Sequence, residues 1–199
     1  MMLIALLVVT ANAAYADTTA AGMPDASGMP DAEMMAKWQQ NATPNENHKV
    51  LEPLIGNWSH AVKWRTKPDG EFTETTGNNI NEWILGGRFL RQTVTGMNMG
   101  QPFEGLGITG YDNVKQEYNS VWMDSMGTGM MIATGKFDGA TSTISETGTF
   151  SCPITGEKDM PFRSEWNITG PDGYTYAMYA TTPEGTEYKA MEAFYTRQP

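Results

Sequence analysis

The sequence predicts an all-β fold: an antiparallel, up-and-down barrel of about ten strands, preceded by one or two short helices. From Trp58 onward, apolar and polar residues alternate, and turn-forming residues recur about every ten positions. These intervals leave no room for crossover helices, so strands that follow each other in sequence should pair antiparallel. A meandering sandwich is the alternative. Closure is favoured because it removes exposed sheet edges.

Nine turn signals separate the predicted strands, and each contains at least one Gly, Pro, Asp or Asn. They are Pro68–Gly70, Gly86–Gly87, Gly100–Pro102, Asp112–Asn113, Gly127, Asp138–Gly139, Pro153–Gly156, Pro171–Gly173 and Pro183–Gly185.

The N-terminal segment 1–16 is typical of a secretory signal peptide. Its apolar run Leu3–Val9 is too short to span a bilayer, and Ala14-Tyr15-Ala16 offers a cleavage site. Cys152 is the only cysteine, so no disulfide can form within the chain. We therefore expect an exported protein, periplasmic or secreted, that does not insert into the membrane once the signal is removed.

Residues 17–42 are predicted to form a flexible linker that includes a short helix. The segment carries an imperfect GMPDA repeat and few large apolar groups, a composition that favours disorder. Near its end, Met34, Met35 and Trp38 share one side at helical spacing, which indicates a helix from about Ala32 to Gln40.

The barrel domain is predicted to span residues 43–199 and to begin with a second helix. Thr43 and Glu46 could form a capping box around Pro44, and the apolar spacing continues to about Leu54. Gly56 should end this helix, since a left-handed residue is common there.

The charge balance excludes polyanionic partners. The chain has 23 acidic and 13 basic residues, a net charge of -10, and no run of Lys or Arg. Contact with nucleic acid or an anionic membrane surface is therefore electrostatically unfavourable. The sequence leaves the oligomeric state open.

A Gly56-Asn57-Trp58 motif precedes the first strand, and Arg197 lies on the last. This arrangement resembles that of lipocalins and other calycins. The resemblance implies that Trp58 closes the barrel floor and that Arg197 packs on it, a cation-π contact worth ~0.5 to 2 kcal/mol. Gly56, Trp58 and Arg197 are therefore the predicted closure residues.

A closer resemblance, to the bacterial domain of unknown function 1579 family, covers the chain from His48 to Arg197. It rests on HKVLEPLIGNW from His48, WILGGRFL from Trp83, GQPFEGLG from Gly100, GYDN from Gly110, VWMDSM from Val121 and the closing YTR. The family implies a calycin-like barrel and brings no established activity.

Strand alternation places Trp58, His60, Val62 and Trp64 on one face of the first strand, which should be the interior. His60 could then contact a ligand, ligate a metal or titrate near neutrality. The structural alternative is a hydrogen-bonded core histidine, because a lone His is no catalytic unit.

The same alternation allows three charged residues, Arg88, Glu104 and Asp124, to point inward. Arg88 shares its face with Gln92, and Asp124 shares its face with Trp122. Buried charges cost several kcal/mol unless paired. Either Arg88 meets Glu104 or Asp124 inside, or the interior is wet and holds a polar ligand.

The leading functional hypothesis is a module that binds a small apolar or amphipathic molecule in the barrel. The predicted ligand-binding residues are His60, Trp64, Arg88, Gln92, Glu104, Trp122 and Asp124. We predict no catalytic residue, cofactor or metal site, although the abundant Met leaves Cu(I) open. A hydrolase or isomerase on the same barrel, and an envelope interaction protein with a filled barrel, are the alternatives.

Overall fold

The computed structural model describes residues 31–153, 155–182 and 184–199. The predicted signal peptide 1–16 lies outside the described residues, and so do the GMPDA repeats as far as Pro30. A helix, α1, occupies Asp31–Ala42, where the apolar spacing predicts one. Among the described residues, no helix has both the length and the apolar character needed to cross a bilayer.

The second helix is shorter than predicted and begins later. Helix α2 covers only Glu46–Lys49, and a 3-10 turn follows at Glu52–Leu54. Asn45 is the N-cap, and the His48 side chain closes the capping box instead of Glu46. The prediction of one helix that continues to about Leu54 is wrong, because Pro53 disfavours a helical conformation in the residue before it and has no backbone N–H to donate.

Ten strands follow, separated at all nine predicted turns. They are β1 (Gly56–Trp64), β2 (Thr73–Ile84), β3 (Phe89–Asn98), β4 (Gln101–Asp112), β5 (Glu117–Asp124), β6 (Met131–Asp138), β7 (Thr143–Phe150), β8 (Met160–Gly170), β9 (Gly173–Thr181) and β10 (Glu187–Arg197).

The strands form a closed, antiparallel, up-and-down barrel, which confirms the predicted fold class. Each strand pairs with its sequence neighbours, and β1 pairs with β10 to close the ring. The closing register aligns Trp58 with Arg197 and Trp64 with Met191. Closure leaves no strand of the barrel with an unpaired edge.

A cluster of large side chains, the floor cluster, fills the barrel end nearest α2. Its buried members are Leu51, Leu54, Trp58, Leu90, Tyr118, Ile144 and Tyr174. The Tyr118 hydroxyl donates a hydrogen bond to the Asn47 carbonyl, 2.7 Å away. The floor cluster therefore joins α2 and the 3-10 turn to the strands and seals this end.

The predicted contact between Trp58 and Arg197 lies at the centre of the floor. The Arg197 guanidinium carbon is 4.1 Å from the Trp58 ring centroid. Its two terminal nitrogens donate to the carbonyls of Ile55 (2.8 Å) and Pro53 (2.9 Å). Gly56, at φ 130°, lets the guanidinium pass, because a Cβ there would collide with it.

Candidate functional site

The half of the barrel beyond the floor cluster is hollow. It encloses a cavity of about 640 Å³, to which all ten strands contribute side chains. Volumes of this size are typical of small-molecule sites. The floor closes one end of the cavity, so its mouth lies at the opposite end, where β1 ends and β10 begins.

The part of the cavity nearest the mouth is lined mainly by apolar side chains, with Asn98 and Asp124 as polar exceptions. Aromatic, Met and Val side chains line it, among them Trp64, Phe103, Trp122, Met131, Phe162 and Met178. We call these six residues the apolar collar. Trp64 and Trp122 are predicted site residues, and both lie on the cavity wall.

Glycines on β4 make room for the Trp122 indole. A Cβ at Gly105 would lie 2.5 Å from two carbons of the indole, and a Cβ at Gly107 would lie 3.2 Å from a third. Real Cβ atoms do not approach a neighbour as closely as 2.5 Å, so an alanine at Gly105 would displace the ring. The sequence G-L-G therefore positions Trp122 flat against the β4 wall.

Asp124 lies on the cavity lining near the mouth. Its Oδ2 accepts a hydrogen bond from Trp122 Nε1 at 2.8 Å, and its Oδ1 accepts from the Met126 amide at 2.9 Å. These bonds fix both the carboxylate and the indole. The charge lies at the mouth, where water can reach it.

The inner part of the cavity holds a buried carboxylate, Glu146 on β7, whose side chain is 3% exposed. The hydroxyl of Ser120 donates to its Oε1. Ser164 Oγ and Trp166 Nε1 donate to its Oε2 at 3.1 and 2.9 Å. The Ser120 hydroxyl also lies 3.1 Å from Thr109 Oγ1, so Thr109 donates to it.

His60 and Gln92 also lie on the inner part of the cavity and are 8% and 3% exposed. His60 Nδ1 has no hydrogen-bond partner among the described residues, and its ring is tilted against Tyr195 at 5.9 Å. Burial lowers the pKa of His60 from its ordinary value of 6.5. His60 is therefore neutral at neutral pH.

Gln92 connects the cavity to the floor through Tyr174. Burial raises the pKa of the Tyr174 hydroxyl well above its ordinary value, and side-chain hydrogen bonds with Asn81, Gln92 and Asn79 oppose that rise. Asn79 and Asn81 each donate to the hydroxyl, at 3.0 and 3.1 Å. This buried polar network supports the base of the cavity.

Arg88 and Glu104 do not line the cavity. Of the two alternatives that the sequence leaves open, the internal ion pair is therefore wrong. Arg88 precedes β3 in the exposed turn, where its guanidinium donates to the Leu85 carbonyl at 3.0 Å. Glu104 shares its face with Leu106, but that face of β4 points outward and the side chain is exposed. The inward positions of β4 are the alternate ones, such as Gly107 and Thr109, which lie against Trp122 and Ser120.

Sequence reasoning missed the Glu146 network. A signal was present, because Ile144, Glu146 and Phe150 share one parity on β7, and two large apolar residues on a face indicate the interior. That face would have placed Glu146 inside. The partner strands that supply Ser120, Ser164 and Trp166 could not be inferred from β7 alone.

Because burial lowers the pKa values of both histidines, we expect acid to destabilise the fold already at pH values above those at which carboxylates titrate. Burial lowers the pKa of His48 as well, with a further contribution from the Arg88 charge. Below pH about 6.5 the unfolded chain binds protons that the folded chain does not, so the free energy of unfolding should fall from pH 7 to pH 5. Urea unfolding of wild type and His60→Gln checks this, with a shallower fall in the variant. A stability that rises toward pH 5 would contradict it.

Comparison with known proteins assigns the family. A family described as "Protein of unknown function (DUF1579)" matches residues 43–197, which is most of the chain. The chain belongs to the DUF1579 family. The predicted resemblance is therefore confirmed. No curated protein matches the chain.

Solved structures of other proteins have a similar fold. Rv2717c from M. tuberculosis is 17% identical, covers 79% of this chain and 100% of its own, and has a TM-score of 0.56. The S-type phycobiliprotein lyase CPES from Guillardia theta is 9% identical, covers 85% and 99%, and has a TM-score of 0.54. At these identities the likeness concerns the fold alone. The barrel is calycin-like.

Proposed function

We propose that this DUF1579 protein is an exported carrier that holds a small amphipathic molecule inside its barrel. The observation that carries the proposal is the cavity of about 640 Å³, closed by the floor at one end and open at the other. A filled interaction barrel would bury side chains in that volume instead.

The gradient of polarity along the cavity supports an amphipathic ligand. The apolar collar near the mouth, with Trp64 and Phe162, suits an aliphatic or aromatic body. The inner residues Glu146, Gln92 and His60 offer hydrogen-bonding groups to a polar head. A ligand that enters head first would satisfy both parts.

The enzyme alternative lacks an acid–base pair. Among the described residues that line the cavity, Glu146 and Asp124 accept hydrogen bonds only from hydroxyl, indole and amide groups. A general acid and base would need a second titratable group within reach of the first. His60 Nδ1 has no hydrogen-bond partner among the described residues. We therefore favour binding over catalysis.

Export is part of the proposal and rests on the sequence of residues 1–16, whose apolar run and Ala-x-Ala site are typical of a signal peptide. Detection of a mature N-terminus near Asp17 in the periplasmic or culture-medium fraction would support it. An uncleaved protein in the cytoplasm would contradict it.

A titration with decan-1-ol tests the carrier proposal without presuming the head group. Trp64, Trp122 and Trp166 line the cavity, so occupancy should change tryptophan emission with a saturable, one-to-one dependence. Binding to the folded state should also raise the Tm. If decan-1-ol, decylamine and decanoate all leave emission and Tm unchanged, the carrier proposal is wrong.

A further inference from the structure

The charged groups on the cavity wall are all acidic. Among the described residues that line the cavity, Asp124 and Glu146 are the two carboxylates, and no Lys or Arg accompanies them. His60 is neutral because burial lowers its pKa. A cavity that selects an anionic ligand would need a cation on its wall, and this wall offers none.

Glu146 is buried without a counter-ion. The ion pairs of the described residues join other side chains and do not include Glu146. An ionised carboxylate this deep is costly unless it is paired as well as hydrogen-bonded. The cost is smallest when a positive group lies beside it.

The hydrogen bonds to Glu146 leave acceptor capacity. A carboxylate offers about four lone-pair sites. Three are used, one by Ser120 on Oε1 and two by Ser164 and Trp166 on Oε2. A remaining site on Oε1 can accept from a donor group of a ligand. Trp166 can only donate, so Glu146 Oε2 is the acceptor in that bond.

Aromatic rings surround the same carboxylate. Trp166 donates to Glu146 and lies 4.7 Å from the Tyr176 ring, and both rings line the cavity. Ring faces attract cations and do not attract anions. The acidic net charge of -10 and Asp124 at the mouth add a field that draws positive molecules toward the opening.

We propose that the ligand is a cationic amphiphile, whose ammonium or amidinium head binds Glu146 and whose apolar body lies in the collar. The inference rests on the proposed carrier function and specifies the chemistry of its ligand. Glu146 then acts as the counter-ion, and Ser120, Ser164 and Trp166 position its oxygens. Asp124 is the first charge that the head meets.

Three probes with one alkyl chain and different heads test the inference. At neutral pH and below micellar concentrations, decylamine is a cation, decan-1-ol is neutral and decanoate is an anion. Wild-type protein should bind decylamine at least about tenfold more tightly than decan-1-ol, and decanoate most weakly, because the charge-assisted bond to Glu146 forms only with the cation. Tryptophan emission and calorimetry measure each Kd.

Glu146→Gln should remove the preference while leaving the cavity shape unchanged. We expect decylamine binding to weaken at least about tenfold and decan-1-ol binding to change less than about twofold. Glu104→Gln is the matched control, since it removes the same charge from the exposed outer face of β4. Its Kd for decylamine should stay within about twofold of wild type.

The outcomes separate the two proposals. If the probes bind with no preference for the cation, or decanoate binds best, the cationic inference is overturned and the carrier proposal stands. An unchanged preference in folded Glu146→Gln overturns it as well. Should that variant not fold, the wild-type ranking decides, together with Asp124→Asn, which should weaken decylamine more than decan-1-ol. Failure of all three probes to bind wild type removes both proposals.

Discussion

Trp58→Ala should lower the free energy of unfolding by about 3 to 5 kcal/mol, a large share of the stability of an ordinary domain. The indole is fully buried and lies edge-on against Tyr174, with ring centroids 4.7 Å apart. Its N–H donates to the Leu54 carbonyl at 2.9 Å, and Arg197 covers its face. The substitution therefore opens a cavity in the floor and unpairs the contact between the first and last strands.

Equilibrium urea unfolding measures this loss. Trp38→Ala is the control, because that indole is 62% exposed and its removal should cost less than about 0.5 kcal/mol. Arg197→Met keeps an apolar stem but removes the guanidinium bonds to the Ile55 and Pro53 carbonyls. Its loss of free energy of unfolding should therefore lie between the losses of Trp38→Ala and Trp58→Ala. A Trp58→Ala protein as stable as the Trp38→Ala control would contradict the closure account.

Filling the cavity should abolish ligand binding. The double variant Val62→Trp, Val94→Trp places two indoles into the cavity from β1 and β3, since both valines point inward and line it. The added side chains occupy volume that the ligand body needs. The Kd for decan-1-ol should rise at least about a hundredfold, a change of about 2.7 kcal/mol.

The matched control carries the same two substitutions on the outer face. Ala61 and Thr93 precede the two valines on the same strands, and both are exposed. The variant Ala61→Trp, Thr93→Trp should bind decan-1-ol as wild type does. Melting curves establish that both variants are folded. Undiminished binding by the filled barrel would place the ligand outside the cavity.

Much of the barrel could be predicted because its signals are local. Gly and Pro chemistry marks each turn, as at Gly86-Gly87 and Asp138-Gly139, and short intervals between turns force antiparallel neighbours. The contact of Trp58 with Arg197 could be predicted because the resemblance to calycins implies it, and the pairing of the first strand with the last agrees with it. These inferences need no knowledge of distances across the interior.

The errors arise where alternation gives parity but not direction. Alternation places Glu104 on the same face of β4 as Leu106 and Ile108. That face points outward, and the inward positions from Gly105 to Thr109 are small. Because large apolar residues are usually buried, Leu106 and Ile108 would ordinarily indicate that this face points inward. Arg88 follows the inward parity of β3 but lies before its first residue, so alternation does not apply to it.

The Glu146 network could not be assembled from sequence because its members lie on three strands. Ser120 is on β5, Glu146 on β7 and Ser164 on β8, and the registers that align them depend on turn lengths and barrel curvature. The strand β6 lies between β5 and β7, so the Ser120 side chain reaches Glu146 over the inner face of β6. Contacts of this kind follow from closure and become predictable only after the barrel is built.

Native mass spectrometry tests the central claim, a ligand held inside the barrel, most directly. The mature protein would be purified gently from its own host and weighed before and after denaturation, with the filled Val62→Trp, Val94→Trp barrel prepared in parallel. We predict one small molecule per chain on wild type, released by denaturation and missing from the filled barrel. A wild-type mass equal to that of the bare chain, or the same adduct on both proteins, would contradict the claim.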